Sequence, residues 1–199
     1  MILLAALVAV ALGATYAAGM LPSAIVVARS KGVDITTFGS GNPGASNVAR
    51  ALGARWGVVV FALDAAKGAV PVTLALLAGR PLAYGCAAAA VLGHVFPVTR
   101  GFRGGKGIAT GAGVLLPLHP PVMLAAAATW LLLAKVSKRA SVASILVVPA
   151  VIVAIVVRGT PGWEVAALAG LAGLIEIRHL SNIRRLFSGT EHALTNDSR

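Results

Sequence analysis

From Ile2 to Ala28 the chain runs without a single charged side chain. A helix of about 20 apolar residues is what crosses a bilayer, so this stretch alone restricts the fold. The pattern then repeats. Apolar segments over about 2–28, 56–79, 82–98, 107–119, 121–136, 141–157 and 163–178 alternate with short polar gaps. Only 12% of the residues are charged, against about 25% in soluble domains. The expected fold is all-α: a polytopic integral membrane helix bundle of about seven spans, with residues 1–199 forming one domain. The N-terminal run lacks the basic start of a cleaved leader, with no cation before Arg29, and reads as a retained first span. The fourth segment is short and runs into Pro117, Pro120 and Pro121. Two readings stay open there: a tight turn between two short spans, or a re-entrant hairpin beside five full spans.

The basic residues are distributed one-sidedly. Arg29, Lys31, Arg50 and Arg55 precede the second span. Arg100, Arg103 and Lys106 lie between the third and fourth, and Lys135, Lys138 and Arg139 between the fifth and sixth. Arg178, Arg184, Arg185 and Arg199 follow the seventh. These are fourteen of the seventeen Lys and Arg residues; alternate gaps hold only Arg80 and Arg158, and Lys67 sits inside a span. By the positive-inside rule the N-terminus is outside and the C-terminus is cytoplasmic, which requires an odd number of spans. The net charge of +11 resembles that of nucleic-acid binders, but those are not apolar over most of their length, so no nucleic-acid partner is expected. Anionic lipid head groups or an anionic substrate fit the charge better.

The cytoplasmic loops carry the polar chemistry. The first contains Ser40, Asn42, Gly44, Ser46 and Asn47 and ends on Arg50. Glycines there let backbone N–H groups approach an anion, and a guanidinium adds a permanent bidentate charge, although the same composition also makes an ordinary polar turn. The second contains Gly93-His94 and then Gly104-Gly105-Lys106-Gly107 directly before a helix. Phosphate cradles are built in this way, from a helix N-terminus and a cation. The spacing is not that of a nucleotide P-loop, and contact with lipid phosphates is the competing reading. In the third loop Ser141 reads as a helix N-cap. The last polar segment holds Arg178-His179, Asn182, Arg184, Arg185 and Glu191; His179 is either a proton acceptor near neutral pH or an interfacial hydrogen-bonding residue. Asp64 and Lys67, three residues apart within a span, read as a structural ion pair. Cys86, the only cysteine, reads as packing. No Gly-x-Ser-x-Gly elbow, His-x-x-x-x-Asp signature or metal-ligand cluster is present.

Three blocks then occur in order: Ser40-Gly41-Asn42-Pro43-Gly44-Ala45-Ser46-Asn47 with Arg50; Gly93-His94 with Phe102-Arg103-Gly104-Gly105-Lys106-Gly107-Ile108-Ala109-Thr110; and Arg178-His179, Asn182-Ile183 and Gly189-Thr190-Glu191. Over essentially its whole length the chain resembles the bacterial acyl-phosphate:glycerol-3-phosphate acyltransferase family. Ser46 stands where the family often has Thr. The resemblance implies transfer of a fatty acyl group from acyl phosphate to the 1-hydroxyl of glycerol 3-phosphate, giving lysophosphatidate and phosphate as the first acylation of phospholipid synthesis. It implies substrate contacts at Ser40, Asn42, Asn47, Arg50, Gly104, Gly105, Lys106, Gly107, Ser141, His179 and Asn182, with Lys106, His179 and Ser141 in the catalytic set and His94 and Glu191 ordering loops. No cofactor and no metal is expected. The partners it implies are glycerol 3-phosphate, acyl phosphate, membrane lipids and an enzyme that forms and hands over acyl phosphate. The location it implies is the bacterial cytoplasmic (inner) membrane, with the site on the cytoplasmic face. The substrate itself is expected to take the hydroxyl proton, with His179 as the rival base. A carrier of phosphorylated or anionic solutes, or a lipid-binding scaffold, would draw on the same basic loops.

Overall fold

The computed structural model describes residues 1–194, and among these every regular element is helical. Arg199, counted above among the cytoplasmic cations, lies outside the described residues. Five helical stretches are long and apolar enough to cross a membrane. The first is α1 (Ile2–Gly19) continued by α2 (Ser23–Arg29). The others are α4 (Ala54–Leu76), α5 (Arg80–Val95, extended by a 3₁₀ turn to Arg100), α7 (Pro120–Ser137) and α8 (Ala140–Val157). Two further apolar helices are shorter: α6 (Ile108–Leu118) and α9 (Gly162–Arg178). Two eight-residue helices, α3 (Ala45–Leu52) and α10 (Leu180–Phe187), join the spans at the basic end.

The first stretch is not one straight helix. Pro22 has no N–H to donate, so the ladder breaks at Met20–Pro22 and frees carbonyls in an environment without water. Lys67 of α4 donates its ammonium to the Leu21 carbonyl and also pairs with Asp64 at 2.6 Å. The Asp64–Lys67 pair therefore fastens the break in the first stretch to α4. Asp64 and Lys67 are both buried, and the His94 ring of α5 stands 3.8 Å from the same carboxylate.

Small residues set the closest crossings, as is usual where lipid provides no hydrophobic drive between helices. A Cβ on Gly113 would lie 1.9 Å from the Ala65 carbonyl oxygen, and one on Gly93 would lie 2.2 Å from that of Tyr16. α6 is thereby pressed against α4, and α1 against α5. The prolines take positions the backbone tolerates. Pro120 and Pro121 occupy the first turn of α7, where N–H groups have no helical partner, and His119 caps α6 and α7 together.

At the end away from the basic loops, four side chains from different elements meet. Arg80 at the start of α5 makes a bidentate pair with Glu164 of α9, both contacts 2.5 Å. Tyr84 donates its hydroxyl to Glu164 Oε2 at 2.7 Å, and its oxygen lies 2.9 Å from His119 Nε2. Trp163 packs edge-on against Tyr84 at 4.9 Å between ring centroids. Glu164 is 2% exposed, so this clasp satisfies a carboxylate that lipid would not tolerate alone.

Candidate active site

The basic loops converge on one end of a cavity of about 600 Å³. Its polar end is lined by Ser40, Asn42, Asn47, Arg50, Lys106, Gly107, Ser141, His179, Asn182 and Glu191. From there it runs into the bundle between α4, α6, α7, α8 and α9, past side chains such as Leu115, Met123, Val151, Leu168 and Ile175.

Each polar group is placed by a short local device. Asn47 is 2% exposed in the first turn of α3. Its amide nitrogen donates to the carbonyls of Phe38 at 2.9 Å and Ile35 at 3.2 Å. Its oxygen accepts from the Ser40 N–H and from Arg50, both at 3.3 Å. Asn47 thus folds the first loop and aims Ser40 and Arg50; its own hydrogen-bonding capacity is spent inside the loop. Arg50 also donates from Nε to the Ala193 carbonyl at 2.5 Å.

The glycines before Lys106 work differently from the sequence expectation. The N–H groups of Gly104 and Gly105 donate to the carbonyls of Val95 and His94, both at 3.1 Å, and neither glycine borders the cavity. A Cβ on Gly104 would sit 2.0 Å from the His94 oxygen, and one on Gly105 would sit 2.2 Å from His94 Nε2. These two positions are glycine so that the loop can lie flat on the end of α5. Arg178 holds the Gly104 carbonyl from the other side at 3.3 Å, with its guanidinium over the Phe96 ring. Lys106 is then delivered into the cavity, and Gly107, at φ +91°, turns the chain into α6. No side chain caps this helix start.

Lys106 donates to the Asn182 oxygen. The Asn182 amide nitrogen donates to Glu191 Oε1 at 2.7 Å, and Arg185 Nε donates to Glu191 Oε2 at 2.8 Å. Burial pushes the Lys106 ammonium down to about 8; Arg185, Arg50 and Arg178 push the same way and Glu191 opposes. Arg50 is also lowered, by burial first, then by Arg185, against Glu191. Burial alone would raise the Glu191 carboxyl, but the hydrogen bonds from Asn182 and Arg185 hold it below its ordinary range. The polar end is therefore an excess of cations countered by one internal carboxylate.

Ser141 is not the helix cap. Arg139 occupies that position without a capping bond, because α8 starts two residues earlier than a Ser141 cap requires. Ser141 lies inside the first turn, faces the cavity, and its buried hydroxyl has no hydrogen-bond partner. It stands beside Glu191 without completing a bond to it. His179, 3% exposed, links α9 and α10. Its Nδ1 lies 2.8 Å from the Ile175 carbonyl, an acceptor, so Nδ1 carries the proton and Nε2 keeps its lone pair. Burial holds this imidazole down at about 4, with Lys106 and Arg178 adding to the effect and the Ile175 bond opposing it. Among the described residues no three His, Cys, Asp or Glu side chains converge as metal ligands.

Fold and site together define a class: a polytopic membrane protein with a cation-rich surface site that opens into an apolar cavity inside its bundle. The family model described as glycerol-3-phosphate acyltransferase matches residues 9–189, and the chain belongs to that family. The glycerol-3-phosphate acyltransferase of Anaeromyxobacter sp. (strain Fw109-5) is 45% identical over 195 residues, covering 92% of this chain and 94% of the relative. That of Thioalkalivibrio sulfidiphilus is 43% identical over 196 residues, covering 96% and 95%. The crystal structure of PlsY, an integral membrane glycerol 3-phosphate acyltransferase in its glycerol 3-phosphate form, superposes with a TM-score of 0.90 at 38% identity, covering 94% of each chain. Its lysophosphatidic acid form gives 0.87. The chain is accordingly an enzyme, a membrane-integral acyltransferase of phospholipid biosynthesis that acts on glycerol 3-phosphate.

Proposed function

We propose that the enzyme transfers a fatty acyl group from acyl phosphate to the 1-hydroxyl of glycerol 3-phosphate, with direct displacement of phosphate. The observation that carries this reading is the cation-rich end of a cavity whose remainder is apolar. Both reactants bear phosphate, and one bears a lipid tail. Arg50 and Lys106, with Arg185 behind them, meet the phosphate charge. Ser40, Asn42, Ser141, His179 and Asn182 surround the glycerol. Asn47, Gly104 and Gly105 act through the groups they place. The uncapped start of α6 at Gly107, beside Lys106, offers N–H groups to the oxyanion that develops at the acyl carbonyl.

The chemistry demands little beyond placement. The 1-hydroxyl oxygen attacks the acyl carbon, the bond from that carbon to the bridging oxygen breaks, and phosphate leaves with the electron pair. A substrate phosphate accepts the hydroxyl proton. A phosphate monoester has its second pKa at about 6, whereas burial holds His179 at about 4. His179 is thus a weak base, and its Nε2 is assigned to orienting the attacking hydroxyl while the phosphate takes the proton. Positioning alone is worth orders of magnitude in rate.

In the membrane the chain acts as one domain, residues 1–199, with seven crossings. α6 is only about 16 Å long, yet it joins the two ends that α9 joins: Gly107 lies against Ile175 and His119 against Glu164. The distribution of Lys and Arg puts the N-terminus outside, with the C-terminus and the site on the cytoplasmic face of the inner membrane. An enzyme that forms acyl phosphate hands it over there. The test is donor choice. Purified protein with labelled glycerol 3-phosphate makes lysophosphatidate from acyl phosphate and none from an acyl thioester. Product from the thioester alone, or label uptake into vesicles without product, would refute the assignment.

A further inference from the structure

The cavity changes character within one turn of α8. Ser141 belongs to its polar end; Ser144 also lines it, about 4.5 Å deeper at the helical rise. The Ser144 hydroxyl, 4% exposed, donates to the Ala140 carbonyl at 2.9 Å and accepts from Trp130 Nε1 at 3.0 Å. Trp130 comes from the facing helix α7 and also lines the cavity. Turning the indole away would leave its N–H without a partner in a region that offers no water. One turn deeper on the same helix the wall is formed by the small side chains of Ala126 and Ala127. A large, hydrogen-bonded ring therefore lines the cavity between its polar end and this stretch of small side chains.

We propose that Trp130, pinned by Ser144, is a specificity-determining collar for the acyl donor: it accepts acyl groups that are unbranched over their first few carbons and excludes those that carry a methyl at about the fourth carbon. The donor class is thus acyl phosphates with straight proximal carbons. Branching farther along the tail is accommodated beside Ala126 and Ala127. The depth fits this assignment. With the reacting carbonyl near Ser141, between three and four carbons span the distance to Ser144, since a zigzag of 1.52 Å bonds advances about 1.25 Å per carbon, so the ring meets the chain at about its fourth carbon. A misplaced methyl in a fixed apolar site is worth about tenfold or more in rate. The inference rests on acyl phosphate being the donor.

The test uses the full-length enzyme in detergent and three acyl phosphates of equal carbon number: straight, 4-methyl, and methyl-branched near the far end. Each kcat/KM is divided by the compound's uncatalysed hydrolysis rate, which removes its intrinsic reactivity. The wild type uses the straight and distally branched donors alike and the 4-methyl donor about tenfold less well or worse. Trp130→Ala abolishes that ratio. Ser144→Ala, which keeps the ring but frees it, lowers the ratio and serves if the first variant does not fold. Equal use of all three donors by the wild type, or an unchanged ratio in both variants, overturns the collar. Absence of any product from the straight donor overturns the donor assignment instead.

Discussion

Gly104→Ala puts a methyl where the structure has no room for it. The added carbon would lie 2.0 Å from the His94 carbonyl oxygen, 2.5 Å from that of Val95 and 2.7 Å from Pro97 Cδ. Two of these are backbone atoms at the end of α5, which cannot rotate away. The loop must lift by an ångström or more to restore contact distance. Lifting strains or breaks the bonds from the Gly104 and Gly105 N–H groups, both 3.1 Å, worth about 1 kcal/mol each, on top of an overpacking cost of about 1–3 kcal/mol. The loop is thus destabilised by roughly 3–5 kcal/mol, summing those two estimates. Lys106, two residues on, moves with it, and a displacement of about 1 Å in a positioned group costs on the order of 100-fold in rate. The assay is kcat/KM for glycerol 3-phosphate in detergent, with thermal unfolding measured in parallel. Gly170→Ala is the control, because nothing lies within 4 Å of a Cβ there. Gly104→Ala should lose about 100-fold in kcat/KM while staying folded, and Gly170→Ala should lose almost nothing. A Gly104→Ala enzyme with more than half the wild-type activity would refute the reading that the glycine pair fixes the height of Lys106.

Lys106 is charged below about pH 8 and neutral above it, because burial and three arginines lower its affinity for the proton. In the free enzyme kcat/KM for glycerol 3-phosphate therefore falls as pH rises through about 8. Lys106→Arg should abolish that alkaline limb, and a limb that stays in place would assign it to another group. His179 is neutral throughout the physiological range, so no acid limb near 6.5 should come from it. In single-turnover experiments His179→Gln should slow the chemical step far less than Lys106→Ala does; loss of the chemical step with glycerol 3-phosphate binding intact would make His179 the base. At the opposite end, Arg80→Met leaves Glu164 with only Tyr84 and His119 around it. Breaking such a pair should lower stability by about 3 kcal/mol, read as a drop in unfolding temperature, with activity per folded molecule retained.

The apolar helices are legible because hydropathy contrasts sharply with the basic gaps, and even short α6 falls within the expected segment 107–119. The break at Met20–Pro22 was not read, since its compensation by Lys67 comes from another helix. α3 and α10 were read only as loops. Each is eight residues of mixed polarity and carries no apolar run, although together they hold Asn47, Arg50, Asn182 and Arg185. The polar residues that line the cavity are recognisable in the sequence by type and order, but the contacts each one makes are not. Gly104 and Gly105 look like phosphate-binding amides in the sequence, yet their N–H groups are committed to α5. Ser141 looks like a cap and instead faces the cavity as an unpaired hydroxyl. The Arg80–Tyr84–His119–Glu164 clasp left no trace in the sequence, because its members lie up to 84 positions apart and no local pattern joins them.

Direct transfer between two phosphorylated substrates is tested most directly with enzyme and acyl phosphate at equal concentration, mixed first without and then with labelled glycerol 3-phosphate. The account predicts no phosphate release before the acceptor is added. One phosphate should then appear for each lysophosphatidate, in the same exponential. A burst of phosphate before glycerol 3-phosphate arrives would mean an acyl-enzyme, and would contradict the direct displacement that the site is proposed to perform.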